Sequence, residues 1–195
     1  MNDTAAQATN GSTAQPDATP SWSQEIVTIY PRRTAVPQQA WRDLFAAARD
    51  RIDVLVYAGN FVTEDDELMG VLADRATAGV QVRILLGDAD SLSVARRGDD
   101  EGINGELADM ARSALAIYRA RLEPLGAQIR LHDTPLYNSI YRADDEMLVN
   151  QHVYGLGAGD APVTHLRQHP DGRLFTTYQG AFERVWVDAS SAPTA

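Results

Sequence analysis

The sequence predicts one α/β domain, a mainly parallel or mixed central sheet flanked by helices, behind a disordered N-terminal tail. Three observations carry that expectation. Residues 68–88, LMGVLADRATAGVQVRILLGD, run a helix through a glycine into a buried strand that ends in acid. The stretch before it repeats the arrangement, and a long helix followed by the strand-like AQIRLH comes later. Strand, helix, strand, helix, strand is the pattern of a βαβ sheet.

Residues 1–23 are rich in Ala, Thr, Ser and Gln with almost no large apolar side chain, which predicts a disordered tail or linker. A helix over 37–51 starts at Pro37, suited to a first turn, and carries Trp41 and Phe45 one turn apart as core anchors. Ile52 to Ala58 reads as a buried strand. Arg49, Arg51, Asp50 and Asp53 around its start read as helix-end decoration. Leu68, Met69, Val71, Leu72, Ala76 and Ala78 recur at helical spacing, and Gly79 supplies the left-handed residue that ends the helix before the strand Val80–Leu86. Asp88 to Asn104 is too long for an ordinary strand-to-helix connection. It reads either as a polar rim at the carboxyl end of a parallel strand, where open α/β sheets bind ligands, or as a solvated loop with a short helix. A helix from Asn104 to Leu122, a strand from Ala127 to His132, two strands around the acidic turn Asp144-Asp145-Glu146, and a closing helix over 175–187 with Phe182 and Trp186 complete the domain, 24–188. Residues 189–195 are expected to be disordered.

The phrases "ARDRIDVLVYAG", "VLADRATAGVQVRILLGD" and "LEPLGAQIRLHD" resemble one half of the phospholipase D superfamily, over about Ile26 to Trp186. The phrases "IYPRR", "LYNSIYRADDEMLVN" and "HVYG" are similar to degenerate domains of this kind that follow a helix-turn-helix (XRE-type) DNA-binding domain in bacterial, especially actinobacterial, transcriptional regulators. The resemblance implies a phospholipase D-like half as the fold.

The superfamily's catalytic motif is His-x-Lys with an Asp five residues after the Lys, and this chain does not keep it. Placing the motif's Asp on Asp145 puts Asn138 at the His and Ile140 at the Lys; placing it on Asp144 gives Tyr137 and Ser139. No register restores the motif, because all 17 basic residues are Arg. A phosphohistidine mechanism needs a nucleophilic imidazole, a proton donor for the leaving oxygen and fixed positive charge. Arg supplies charge, but its planar fork does not replace an ammonium in a tight site.

With 195 residues and 44% hydrophobic content, the chain suffices for one core. A net charge of −10 argues against direct nucleic-acid binding over a broad face. Zero Cys excludes disulfides and thiolate metal sites, and four scattered His without short spacing give no zinc pattern, so no metal or cofactor is expected. No apolar run reaches membrane-spanning length, and the expected compartment is the cytoplasm.

Alternation in the strand pair puts Tyr137, Ser139 and Tyr141 on one face and Asn138, Ile140 and Arg142 on the other. Asn150, His152 and Tyr154 share a side of the next strand, where the resemblance implies a Gly-Ser-x-Asn-like phosphate contact. His132 is read as structural. The candidate ligand-binding residues are Tyr137, Asn138, Ser139, Tyr141, Arg142, Asn150, His152, Arg97 and Asp88; the alternative is a strand pair whose polar groups satisfy one another. Tyr137, Asn138, Tyr141 and His152 are expected to converge on one concave pocket.

Three functions fit. The first is a non-catalytic ligand-sensing domain of a transcriptional regulator, binding a small anionic or phosphorylated ligand, with a helix-turn-helix DNA-binding partner or fused domain. The second is a phosphodiesterase or phosphatidyl-transfer enzyme with a site rebuilt around His152 and Asp145, completed across a homodimer. The third is a protein–protein interaction module.

Overall fold

The computed structural model describes residues 24–191. Its strands are β1 (Ile26–Tyr30), β2 (Arg51–Val56), β3 (Gln81–Gly87), β4 (Gln128–His132), β5 (Asn138–Ala143), β6 (Glu146–Gln151), β7 (Val163–Arg167) and β8 (Ser190–Ser191). The helices are α1 (Gln38–Ala46), α2 (Asn60–Thr63), α3 (Asp66–Thr77), α4 (Leu92–Glu101), α5 (Glu106–Leu122) and α6 (Leu174–Asp188). All eight strands form one sheet in the order β1-β7-β6-β5-β2-β3-β4-β8.

The sheet is mixed. Parallel pairing is confined to β2–β3–β4, the strands that helices separate in sequence, while β5, β6, β7 and β1 add antiparallel on one side and β8 on the other. Ser190 and Ser191 pair with β4, so the ordered chain runs past the predicted end at 188. Residues 1–23 and 192–195, which cover the predicted tail and most of the predicted C-terminal segment, lie outside the described residues.

Both faces of the sheet are covered. On one, Ile52, Val54, Val56, Ile84, Leu86 and Tyr141 pack under α1, α3 and α5 through Trp41, Phe45, Leu68, Leu72 and Tyr118. On the other, Leu55, Leu85, Ile140, Met147 and Val149 pack under α6 through Phe175, Phe182 and Trp186. The helix starts have identifiable causes. Asp65 caps α3 by accepting from the N–H groups of Glu67 and Leu68, Ser91 caps α4 by accepting from Val94, and Glu25, fully buried, accepts from Leu174 and Phe175 at the start of α6. Pro37 sits just before the first helical residue of α1. Ten of the residues assigned to the long connection at 88–104 form α4, which explains its length.

Of the charges at the start of β2, Arg49 and Asp50 are exposed as expected, but Asp53 is not decoration. Asp53 is fully buried on the α6 face, with Arg83 Nε at 2.7 Å and Arg142 Nη1 at 3.1 Å from its carboxylate oxygens. These three residues lie side by side across β5, β2 and β3, and Arg83 also reaches Glu183 on α6 at 2.6 Å. Arg83 lies over the Phe182 and Trp186 rings as well. The sequence shows Asp53 and Arg83 only as single interruptions of two apolar strands; their adjacency is a product of strand register.

Candidate functional site

The site is built at the open end of the β5–β6 hairpin. Leu136, just before β5, is clamped twice: its N–H donates to the Tyr57 hydroxyl at 2.8 Å, and its carbonyl lies 3.1 Å from His152 Nδ1. A carbonyl only accepts, so Nδ1 carries the proton. Nε2 is then the acceptor, and the Ser139 hydroxyl donates to it at 3.0 Å. The Tyr57 ring stacks on the His152 imidazole, centroids 5.8 Å apart, and also abuts the His132 ring. Burial, reinforced by the nearby Arg97 guanidinium, pulls the His152 imidazole down to about 4, so it is neutral at physiological pH. His132 is the structural residue expected: it is buried, its Nε2 donates to the Val56 carbonyl at 3.1 Å, its Nδ1 accepts from Thr134, and burial lowers its pKa.

Ser139 and His152 form part of the wall of an inner cavity of about 230 Å³, which Tyr57, Tyr141, Asn60, Phe61, Arg33, Glu101 and the loop Gly157–Gly159 also line. Gly59, at the turn between β2 and α2, has φ +73°, and a Cβ there would lie 3.0 Å from Val56. This turn carries Asn60 and Phe61 to the cavity. Arg33 lies 4.2 Å over the Phe61 ring, with its backbone N–H fixed to the Ala161 carbonyl. Asn150 is fully buried beside Ser139 in the strand register, and its amide donates to the carbonyls of Ala161 and Pro162. It anchors the end of the loop whose glycines line the cavity. Burial pushes the Tyr141 phenol up to about 12 against the opposing influence of Arg33.

A second, outer cavity of about 640 Å³ shares Tyr57 and His152 with the first and adds Arg96, Arg97, Leu136, Tyr137 and Tyr154. Arg97 is buried, ion-paired with Glu101, and donates to the Leu156 carbonyl at 2.9 Å. Tyr137 and Tyr154 are each 83% exposed.

The predicted residues divide accordingly. Ser139, Tyr141 and His152 meet at the inner cavity, and Tyr137, Arg97 and His152 at the outer one. Asn138 lines neither cavity, and Tyr137 and Tyr141 line different ones, so the four residues do not converge on one pocket as expected. Arg142 points to the opposite face, where it pairs with Asp53 and lies over Phe175. Asp88 accepts from the Asp90 N–H and lines a separate hollow with Asp90 and Arg112. Asp145 is exposed at the turn end of the hairpin, away from His152 at the open end. The residue built into that turn is Asp144. It has φ +49°, and its carboxylate accepts from the N–H groups of Arg49, Asp50 and Arg51. The register through Asp144 is therefore the one in which Ser139, and not Ile140, faces the cavity.

Arg33, Tyr57, Asn60 and Phe61 were not legible as site residues. Arg33 precedes α1 and Asn60 follows β2, and only the β1–β7 and β2–β5 pairings bring both segments to one cavity. Among the described residues no cluster of His, Asp or Glu could hold a metal ion, and no helix is long and apolar enough to cross a membrane.

No protein-family model matches the chain, and no curated protein does. Solved structures do. Nuc from Salmonella typhimurium, a phospholipase D family member, aligns at TM-score 0.54 and 11% identity over 85% of this chain and 95% of its own. Phosphatidylserine synthase from Haemophilus influenzae Rd KW20 aligns at TM-score 0.57 and 17% identity over 84% of this chain and 39% of its own. TrmBL2, an archaeal chromatin protein with a novel mode of DNA binding, aligns at TM-score 0.52 and 17% identity over 93% of this chain. The chain spans 56% of the length of TrmBL2. What these comparisons share with the sequence phrases and the strand order is a phospholipase D-like fold, and that is the fold of this chain.

Proposed function

We propose that this domain is a non-catalytic ligand-sensing module associated with transcriptional regulation, and that its inner cavity binds a small anionic ligand. The observation that carries this is the state of His152. Both imidazole nitrogens are engaged, Nδ1 with the Leu136 carbonyl and Nε2 with the Ser139 hydroxyl, and the ring is neutral. A nucleophilic imidazole needs a free lone pair, and here the lone pair is occupied. A general base works best near the operating pH, whereas burial holds this one down at about 4. Neutral, hydrogen-bonded and stacked on the Tyr57 ring, His152 suits recognition. The similarity in fold to a DNA-binding chromatin protein that is longer than this chain supports a regulatory setting with the DNA-binding function elsewhere. Leu92, Tyr137 and Tyr154, exposed around the outer cavity, suit a face covered by such a partner or by a second copy.

A second reading is favoured by one contact: a serine hydroxyl donating to a histidine nitrogen is also the first step of nucleophilic activation. One assay separates the two. Turnover of bis-(p-nitrophenyl) phosphate by the purified chain is expected to match buffer, with His152→Ala the same. Turnover that disappears in His152→Ala overturns the non-catalytic assignment.

A further inference from the structure

We infer that Arg33 is the anion anchor of the inner cavity, and that the cavity takes a small anion bearing a hydroxyl group. This rests on the ligand-binding reading above and gives it a chemistry.

The charge balance of the cavity points to an anion. Glu101, on its wall, is ion-paired with Arg97, which lines the outer cavity instead, and His152 is neutral. Arg33 remains. It has no carboxylate partner among the described residues, and its Nε is buried without a hydrogen-bond acceptor. The guanidinium is nevertheless held in place, by the Phe61 ring beneath it and by the backbone bonds from Arg33 to Ala161 and from Thr34 to Gly159. A cation fixed by its neighbours and left without a counter-charge is pre-organised for one. The field of Arg33 reaches the cavity walls, since it works to lower the pKa of both Tyr141 and Glu101.

The remaining polar wall asks for a donor. Asn60 Oδ1 is buried and has no partner. The Ser139 proton is committed to His152 and its oxygen also meets the Tyr141 hydroxyl, so Ser139 has one lone pair left to accept. An unpaired acceptor at Asn60 opposite an unpaired cation at Arg33 matches a ligand with an anionic group at one end and a hydroxyl group at the other. At about 230 Å³ the cavity is smaller than the roughly 300–1,000 Å³ that drug-sized ligands use, which limits the occupant to a compound of a few carbons. Glycerate and glycerol 3-phosphate share this chemistry and differ in whether the anion is a carboxylate or a phosphate ester.

The test is thermal shift and titration calorimetry of the full chain with four probes: glycerate, glycerol 3-phosphate, glycerol and inorganic phosphate. At least one of the first two is expected to raise the melting temperature by several degrees at saturation, and which one responds identifies the anion. Glycerol is expected to do nothing, and inorganic phosphate to bind at least tenfold more weakly. Arg33→Gln is expected to lose at least tenfold in affinity, Arg33→Lys to fall between, and both to melt unliganded within a few degrees of the wild type. Equal binding by Arg33→Gln, or by glycerol, overturns the anion anchor. Equal binding of inorganic phosphate overturns the hydroxyl requirement. No response to either organic anion overturns the assignment of class. The ligand-binding reading itself falls only if a broad panel of small anions and phosphate esters also leaves melting unchanged.

Discussion

Acidification is expected to weaken the fold through His152, by an amount the site geometry sets. The imidazole has an ordinary pKa of 6.5 and is held at about 4 in the folded chain, chiefly by burial. Between those values the unfolded chain binds the proton and the folded chain does not. Stability is therefore fully present above pH 6.5 and falls as the pH drops from 6.5 toward 4. Integrating the two titrations from pH 7 to pH 5 gives a loss of about 2 kcal/mol from this residue alone. With a urea dependence of about 2 kcal/mol per molar, that is a shift of about 1 M in the unfolding midpoint. His132, also lowered by burial, contributes in the same direction, and the depressed carboxylates Asp65, Asp144, Glu146 and Glu183 act mainly at lower pH.

The discriminating measurement is thus a difference. Urea unfolding of wild type and His152→Gln at pH 7 and pH 5 isolates the His152 contribution, because the other groups are common to both chains. The variant is expected to be less stable at pH 7, where it loses the contacts to Leu136 and Ser139, and to show a pH dependence smaller by about 2 kcal/mol. If both chains lose the same stability between pH 7 and pH 5, His152 is not held neutral. An imidazole that titrates near neutral pH is a competent base, and that result overturns the non-catalytic reading.

Two further substitutions test the frame around the site. Asp53→Ala leaves the Arg83 and Arg142 guanidinium groups without their shared buried carboxylate, and a loss of about 3–5 kcal/mol is expected. That corresponds to roughly 6–20 °C in melting temperature for a domain of this size, and calorimetry reading under 2 °C would show that Glu183 and the aromatic rings suffice for both. Asp144→Ala removes the acceptor for three backbone N–H groups and places Ala at φ +49°. A loss of about 2–4 kcal/mol is expected, with Asp144→Gly losing less because glycine tolerates that conformation. Urea unfolding in which the two variants lose the same amount would remove the backbone contribution.

The parts of the fold that were legible are those written in local periodicity. The helix-glycine-strand phrase over 68–88 is a single continuous signal, and α3, Gly79 and β3 follow it with boundaries shifted by one or two residues. β1 was not read as an element, because IVTIY carries only five residues at the edge of the sheet and owes its place to β7, which lies far along the chain. The site follows the same division. Strand alternation predicted that Ser139 and Tyr141 share a face apart from Arg142, and a side chain's face is a local property. Arg33 and Asn60 reach the cavity only through long-range pairing, and no residue near either of them in sequence signals it.

The two faces of β5 separate what this chain keeps of its scaffold from what it does with it. On the α6 side, Arg142 joins Asp53, Arg83 and Glu183 in a closed ion network with its charges paired. On the cavity side, Arg33 Nε, Asn60 Oδ1 and the Asn150 Oδ1 behind the wall are buried without partners. Each such group costs about 1–3 kcal/mol relative to a satisfied one. An occupant of the proposed kind would satisfy the first two, which line the cavity. The binding energy of an occupant then includes the relief of that cost, which makes the stability of the hairpin end depend on occupancy. Coupling of that kind is what the proposed sensing role requires.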